Sequence, residues 1–160
     1  MNTRRIAGAF ALLAIPLVSI SLISISSGAS PSADEPLPMQ RLTPAEIASM
    51  AAARPPGGVQ MTNLIGDPTR PGLYTVRVAI APHTQAKPDT HRDNRTVTVL
   101  SGTWHMGYGT QLDVKALKDL PPGSVYSEPA GQPHFAQTGD EAVVILVTGY
   151  GPSDTQFVTH

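Results

Sequence analysis

The sequence predicts an all-β domain, an antiparallel barrel or two-sheet sandwich, with a short helix in front of it. Three observations lead there. From Val59 onward, short β-rich runs alternate with Gly/Pro punctuation at near-regular spacing, the pattern of many short antiparallel strands. One run, Arg95-Thr-Val-Thr-Val-Leu100, alternates cleanly and puts Val97 and Val99 on one side. The whole chain has 160 residues, room for one such domain plus a targeting segment.

The targeting segment comes first. Met1 to Arg5 is a positively charged start, Ile6 to Ile25 is almost uncharged and apolar, and Ser27-Gly-Ala29 supplies small residues for cleavage. Residues 1–29 therefore read as a signal peptide. The apolar run also reaches the roughly 20 residues of a spanning helix, so an uncleaved anchor is the alternative. Either way the domain is expected to be exported, to the periplasm or as a secreted protein, touching membrane only through this segment. Arg4-Arg5 lacks the rest of a twin-arginine motif. The chain has no cysteine, so the exported fold must hold by core packing rather than disulfides. Losing Arg4 and Arg5 takes the net charge from −1 to about −3, which gives no electrostatic support for nucleic acid as a partner.

Residues 30–41 are Pro- and Ser-rich and read as a disordered tether. Residues 42–58 read as a helical arm and loop. Thr43 caps, Pro44 suits the first helical position and Glu46 completes a capping box, while Arg54-Pro-Pro-Gly-Gly58 stops the helix. Residues 59–160 form the β-barrel. Its expected strands are Val59 to Ile65, Leu73 to Ile80, Arg95 to Leu100, Thr103 to Tyr108, Ser124 to Ser127, His134 to Thr138, Ala142 to Thr148 and Gln156 to Val158. Asp113 to Leu120 reads as one or two helical turns. Ala142 to Thr148 is apolar on both faces, which predicts a central strand covered on both sides.

Arg95 is the anomaly of the set. It begins the row that Val97 and Val99 continue, so a guanidinium stands at the start of a core-facing row. A buried, unpaired guanidinium is costly. It needs a carboxylate, an anion or water, which implies a polar pocket at one end of a β-container.

Two stretches carry a family resemblance. Gly123, Pro129, Gly131 and His134 fit G-x5-P-x-G-x2-H-x3-N, with Thr138 in the asparagine place. His91 and Gly102 fit G-x5-H-x-H-x3–4-E-x6-G, with Asp89 in the first histidine place, Arg95 in the glutamate place and the opening glycine missing. Together they resemble the cupin superfamily over about Leu73 to Val158. That resemblance implies a jelly-roll barrel with a ligand cavity, often metal-binding, and a homodimer paired through its sheets.

Three readings of the implied site stay open. In the first, Asp89, His91 and His134 are a two-histidine, one-carboxylate metal set suited to Fe or Mn and oxygenase-type chemistry, with Arg95 orienting an anionic substrate. In the second, the domain is metal-free. Asp89 pairs with Arg95, and His91 or His134 does acid–base work in the manner of an isomerase or epimerase. In the third, the domain is a non-catalytic ligand-binding or sensing module of the cell envelope. The expected ligand is a small polar or anionic molecule, with catalytic candidates His91, His134 and Arg95. Arg95, Glu128, Tyr126 and Phe135 are its candidate contacts, although the two aromatics read first as barrel packing. Glu128 is also the one obvious second carboxylate beside the site. His83 and His160 read as exposed, His105 and Arg77 as outward-facing, and Trp104 as a core anchor. Gly107-Tyr-Gly109 reads as a turn rather than a phosphate loop, and no nucleophile elbow occurs.

Overall fold

The computed structural model describes residues 37–52 and 58–159. The expected signal segment and most of the tether lie outside them. Among the described residues no helix is long and apolar enough to cross a membrane.

Helix α1 spans Pro44–Ala52 and starts as its sequence requires. The Thr43 N–H donates to Glu46 Oε2 at 2.7 Å, and the Glu46 N–H reaches back to Thr43 Oγ1 at 3.4 Å. This reciprocal bonding satisfies two donors that the first turn leaves open. The helix lies against the first strand and buries none of its own residues.

Ten strands follow: β1 (Val59–Ile65), β2 (Gly72–Ile80), β3 (Gln85–Thr90), β4 (Arg95–Ser101), β5 (Trp104–Tyr108), β6 (Lys118–Leu120), β7 (Val125–Glu128), β8 (His134–Thr138), β9 (Val143–Gly151) and β10 (Gln156–Phe157). They form two five-stranded sheets, ordered β1-β2-β9-β4-β7 and β10-β3-β8-β5-β6. Neighbours pair antiparallel throughout. This is a jelly-roll β-sandwich.

The core lies between the sheets and is built by alternation. Tyr74, Val76, Val78 and Ile80 enter it from β2, Val97 and Val99 from β4, and Val143, Ile145 and Val147 from β9. Trp104, Met106 and Ala136 meet them from the second sheet. Val97 and Val99 are 0% and 1% exposed, so the row headed by Arg95 is indeed the inward one. The β4–β9 register shifts between Val99 and Ser101, and Leu100 turns to solvent. Gly102 closes the turn at φ 71°. A Cβ there would lie 2.4 Å from the Ala142 carbonyl oxygen, so only glycine fits without a backbone shift.

Three expectations are corrected. β3 is not among the expected strands, and Gln85-Ala-Lys-Pro-Asp-Thr90 carries a proline and no apolar alternation. It is a strand because β8 and β10 flank it, with a register shift between Ala86 and Asp89 that accommodates Pro88. The segment Asp113 to Leu120 holds one 3₁₀ turn, Val114–Ala116, capped by the Asp113 side chain on the Lys115 N–H. Its last residues form β6, where Leu120 lies opposite Trp104. Finally, β9 is central in its sheet but not covered on both faces: Val143, Ile145 and Val147 are buried, while Val144 and Leu146 stay half-buried.

Candidate metal centre

Two cross-strand pairs face one another across the sandwich. In the first sheet Arg95 of β4 stands opposite Glu128 of β7. In the second, Asp89 of β3 stands opposite His134 of β8. His91 lies on the short connection from β3 to β4. The turn of the second motif is tied to this connection: the Gly131 N–H donates to the His91 carbonyl at 2.8 Å, and the Ala130 N–H to Asn94 Oδ1 at 3.0 Å. The two motif segments, some 40 residues apart in sequence, are thus fastened at one end of the barrel.

Asp89, His91, Glu128 and His134 are all buried. Each of Asp89, His91 and His134 offers one ligand atom, and these atoms lie within 4.8 Å of one another. The tautomers follow from the hydrogen bonds. His91 Nδ1 faces the Asp154 carbonyl at 2.5 Å, and His134 Nδ1 faces the Gln132 carbonyl at 3.2 Å. A carbonyl can only accept, so each Nδ1 carries a proton and each Nε2 is the ring atom turned inward, a lone pair when the ring is neutral and a donor when it is charged. Metal-binding histidines are oriented in this way. His91 Nε2 stands 3.1 Å from Asp89 Oδ2. Two acceptors do not rest at that distance with nothing between them, so a proton or a cation belongs there. The donor set fits a divalent metal.

Electrostatics favours the same conclusion. Burial pushes the Asp89 carboxyl above its ordinary range, opposed by His134 and His91. Burial and then the Arg95 guanidinium hold His91 below its ordinary value, which keeps the imidazole neutral and able to ligate. Burial and the adjacent Glu128 raise the Tyr126 hydroxyl well above the usual phenol, so it stays a donor.

The structure corrects the partner expected for Arg95. It does not pair with Asp89. Its Nε donates to Glu128 Oε2 at 2.9 Å, and its Nη2 binds the same oxygen. The guanidinium thus spends Nε and Nη2 on one carboxylate oxygen while still lining the cavity. Tyr126 lies beside the pair: its hydroxyl accepts from Trp104 Nε1 at 2.9 Å and donates to Glu128 Oε1 at 3.2 Å. Phe135 is corrected as well. It follows His134 on β8 and faces the other way, packing under Gly107, where a Cβ would lie 2.7 Å from its ring. It does not line the cavity.

The cavity itself measures about 320 Å³, at the small end of ligand pockets. Its polar end holds Asp89, His91, Arg95, Glu128 and His134, and its walls are apolar, with Val76, Val78, Trp104, Ala136, Ile145 and Val147 among them. Thr69, Thr84, Ser153 and Thr155 also line it.

Sequence reasoning missed Asp154. Its carbonyl orients His91, and its carboxylate takes the Arg92 N–H at 2.9 Å and Arg92 Nε at 3.1 Å. Nothing in Gly151-Pro-Ser-Asp154 announces this, since the contact spans 63 residues. The buried Tyr74–Asp93 hydrogen bond, 2.6 Å, was missed for the same reason. The outward residues stand as expected: His83 is largely exposed, and His105 bonds Asp119 on the outer face at 2.7 Å.

No protein-family model matches the chain, and no curated protein matches it by sequence. Solved structures do match it in backbone. The polyketide cyclase RemF from Streptomyces resistomycificus superposes with a TM-score of 0.60 at 20% identity, over 76% of this chain and 87% of that one. The protein Rru_A2000 from Rhodospirillum rubrum, a cupin-2 domain, gives 0.54 at 18%, over 64% and 67%. A structure of the DMSP lyases RdDddP and RnDddQII gives 0.54 at 18%, over 63% of this chain and 53% of that one, so this chain spans about half its length. With its two antiparallel sheets and these neighbours, this chain has the cupin fold.

Proposed function

We propose that this chain is an exported, metal-dependent enzyme of oxygenase type, acting on a small molecule with an apolar body and an oxygen donor at one end. One observation carries the reading. Both Nδ1–H groups are spent on backbone carbonyls, so both Nε2 atoms and the Asp89 carboxylate converge on one buried point. Two histidines and a carboxylate with room left open suit Fe(II) or Mn(II). Bound there, the ion would supply Lewis-acid and redox chemistry to a substrate oxygen.

The chain's own residues do the rest. His91, His134 and Asp89 hold the ion's place. Asp154 and Gln132 fix the ring orientations. The apolar walls exclude water and grip the substrate body, which is why the ligand is proposed as apolar rather than anionic. Tyr126 keeps its proton and points it at Glu128. Export is proposed from residues 1–29, whose charged start, apolar run and small-residue site suit secretion. That two of the fold neighbours are a cyclase and a lyase is in keeping with an enzyme.

A second reading has its own support. The 3.1 Å His91–Asp89 contact is equally served by a shared proton, which would make the pair a metal-free acid–base device. Thermal melts separate the two. Added Fe(II) or Mn(II) is expected to raise the melting temperature of the parent and to leave His134→Ala unmoved. A parent indifferent to divalent ions would rule out the metal reading and leave the proton-sharing pair.

A further inference from the structure

We infer that Glu128 is a fourth ligand to the ion, supplied from β7 in place of the acid that β4 lacks; the inference rests on the metal reading above. The resemblance sets a glutamate at position 95, and this chain has arginine there. The register places Glu128 directly opposite Arg95 on the neighbouring strand. The acid and its position have exchanged sides of one cross-strand pair.

The distances suit one coordination shell. Ligands each about 2.1 Å from a common ion lie about 3.0 Å apart at a right angle and about 4.2 Å apart when opposed. His91 Nε2 is 3.1 Å from Asp89 Oδ2 and 3.8 Å from Glu128 Oε2. His134 Nε2 is 3.4 Å from Glu128 Oε1 and 3.9 Å from Asp89 Oδ1. Each distance falls inside that window, although each carboxylate meets the two histidines through different oxygens, and the side chains whose ligand atoms all lie within 4.8 Å of one another are Asp89, His91 and His134, without Glu128.

A second observation is independent of the spacing. Glu128 Oε2 is taken by Arg95, and Oε1 accepts one bond, from Tyr126. A carboxylate oxygen has two lone-pair sites, so Oε1 has one left. It faces His134 Nε2, the ring nitrogen left pointing inward once Nδ1 donates to Gln132. A 3.4 Å contact of this kind in a buried site calls for a proton or a cation between the two atoms. Asp89 and Glu128 offset the two charges of a divalent ion, with the Arg95 guanidinium leaving one positive charge over, while Arg95 and Tyr126 orient the Glu128 carboxylate from behind.

The test uses Co²⁺ as the probe, with affinity read by competition against a chromophoric chelator and ligation by the visible absorption bands. Glu128→Gln is expected to bind Co²⁺ more weakly by over about tenfold and with altered bands. The exchanged variant Arg95→Glu/Glu128→Arg is expected to bind within a few-fold of the parent, because the carboxylate returns from β4. Should Glu128→Gln fail to fold, Arg95→Met/Glu128→Gln is compared with Arg95→Met, and the same loss is expected. If the glutamine variants keep the affinity and bands of their references, Glu128 is only the partner of Arg95 and the inference is overturned while the three-ligand reading stands. A folded parent that binds no Co²⁺ overturns both.

Discussion

Removing the Glu128 charge without changing its shape tests how the arginine is tolerated in the barrel. The Arg95 and Glu128 side chains are only 11% and 6% exposed, so solvent screens the pair little. Glu128→Gln leaves the guanidinium buried with a neutral partner, and breaking a buried pair in this way costs about 3–5 kcal/mol. Some of that returns, because Glu128 and Asp89 repel one another. A net loss of about 3 kcal/mol is expected in metal-free protein. For a barrel of roughly 100 residues, each kcal/mol moves the melting temperature by about 4–8 °C. The melt followed by circular dichroism in chelator should therefore fall by about 12 °C or more. Arg95→Met/Glu128→Gln removes both charges and should melt near the parent, since apolar replacement of a buried pair is often neutral. A Glu128→Gln melt within about 2 °C of the parent would refute the reasoning, and would mean that water or another group satisfies Arg95.

Four further outcomes follow from the same geometry. Arg95→Glu should raise metal affinity by about tenfold or more, because it trades a repelling cation for a third carboxylate; equilibrium dialysis against Mn²⁺ reads it. Asp154→Ala should weaken metal binding about tenfold with little loss of stability, because the Arg92 clamp that holds its carbonyl on His91 is lost. Trp104 is the only tryptophan and lines the cavity, so a small apolar aromatic should change its emission saturably, whereas a small anion such as citrate should not. Burial and Asp93 push the Tyr74 hydroxyl up to about 12. The unfolded chain loses that proton first, at an ordinary phenol value near 10. The Tyr74 contribution to stability should therefore be constant below about pH 10 and be lost between about pH 10 and pH 12, as urea titrations at stepped pH across that range would show.

Much of the fold was legible because alternation survives in the strands that build the core. Arg95, Val97 and Val99 fell on one side in the sequence and do so in the barrel. β3 was illegible because its strand character comes from β8 and β10 on either side, not from its own residues. β9 misled for the opposite reason: valines on both faces of a strand do not by themselves supply a second covering layer. At the site, Asp89, His91, Arg95 and His134 were found by motif spacing. Phe135 was a contact that alternation alone argues against, since His134 and its neighbour on β8 cannot both face the cavity. The pairing of Arg95 with Glu128 needed the β4–β7 register, and the role of Asp154 needed the closing of the chain on itself. Neither is written in local sequence.

The central claim is that Asp89, His91 and His134 hold a divalent metal. It is tested most directly by the metal content of protein purified from its native compartment, measured by atomic spectrometry against His134→Ala prepared alongside. About one iron or manganese per chain in the parent, and none in a folded His134→Ala, is the expected result. A folded parent with no stoichiometric metal, or a variant that retains it in full, would contradict the account.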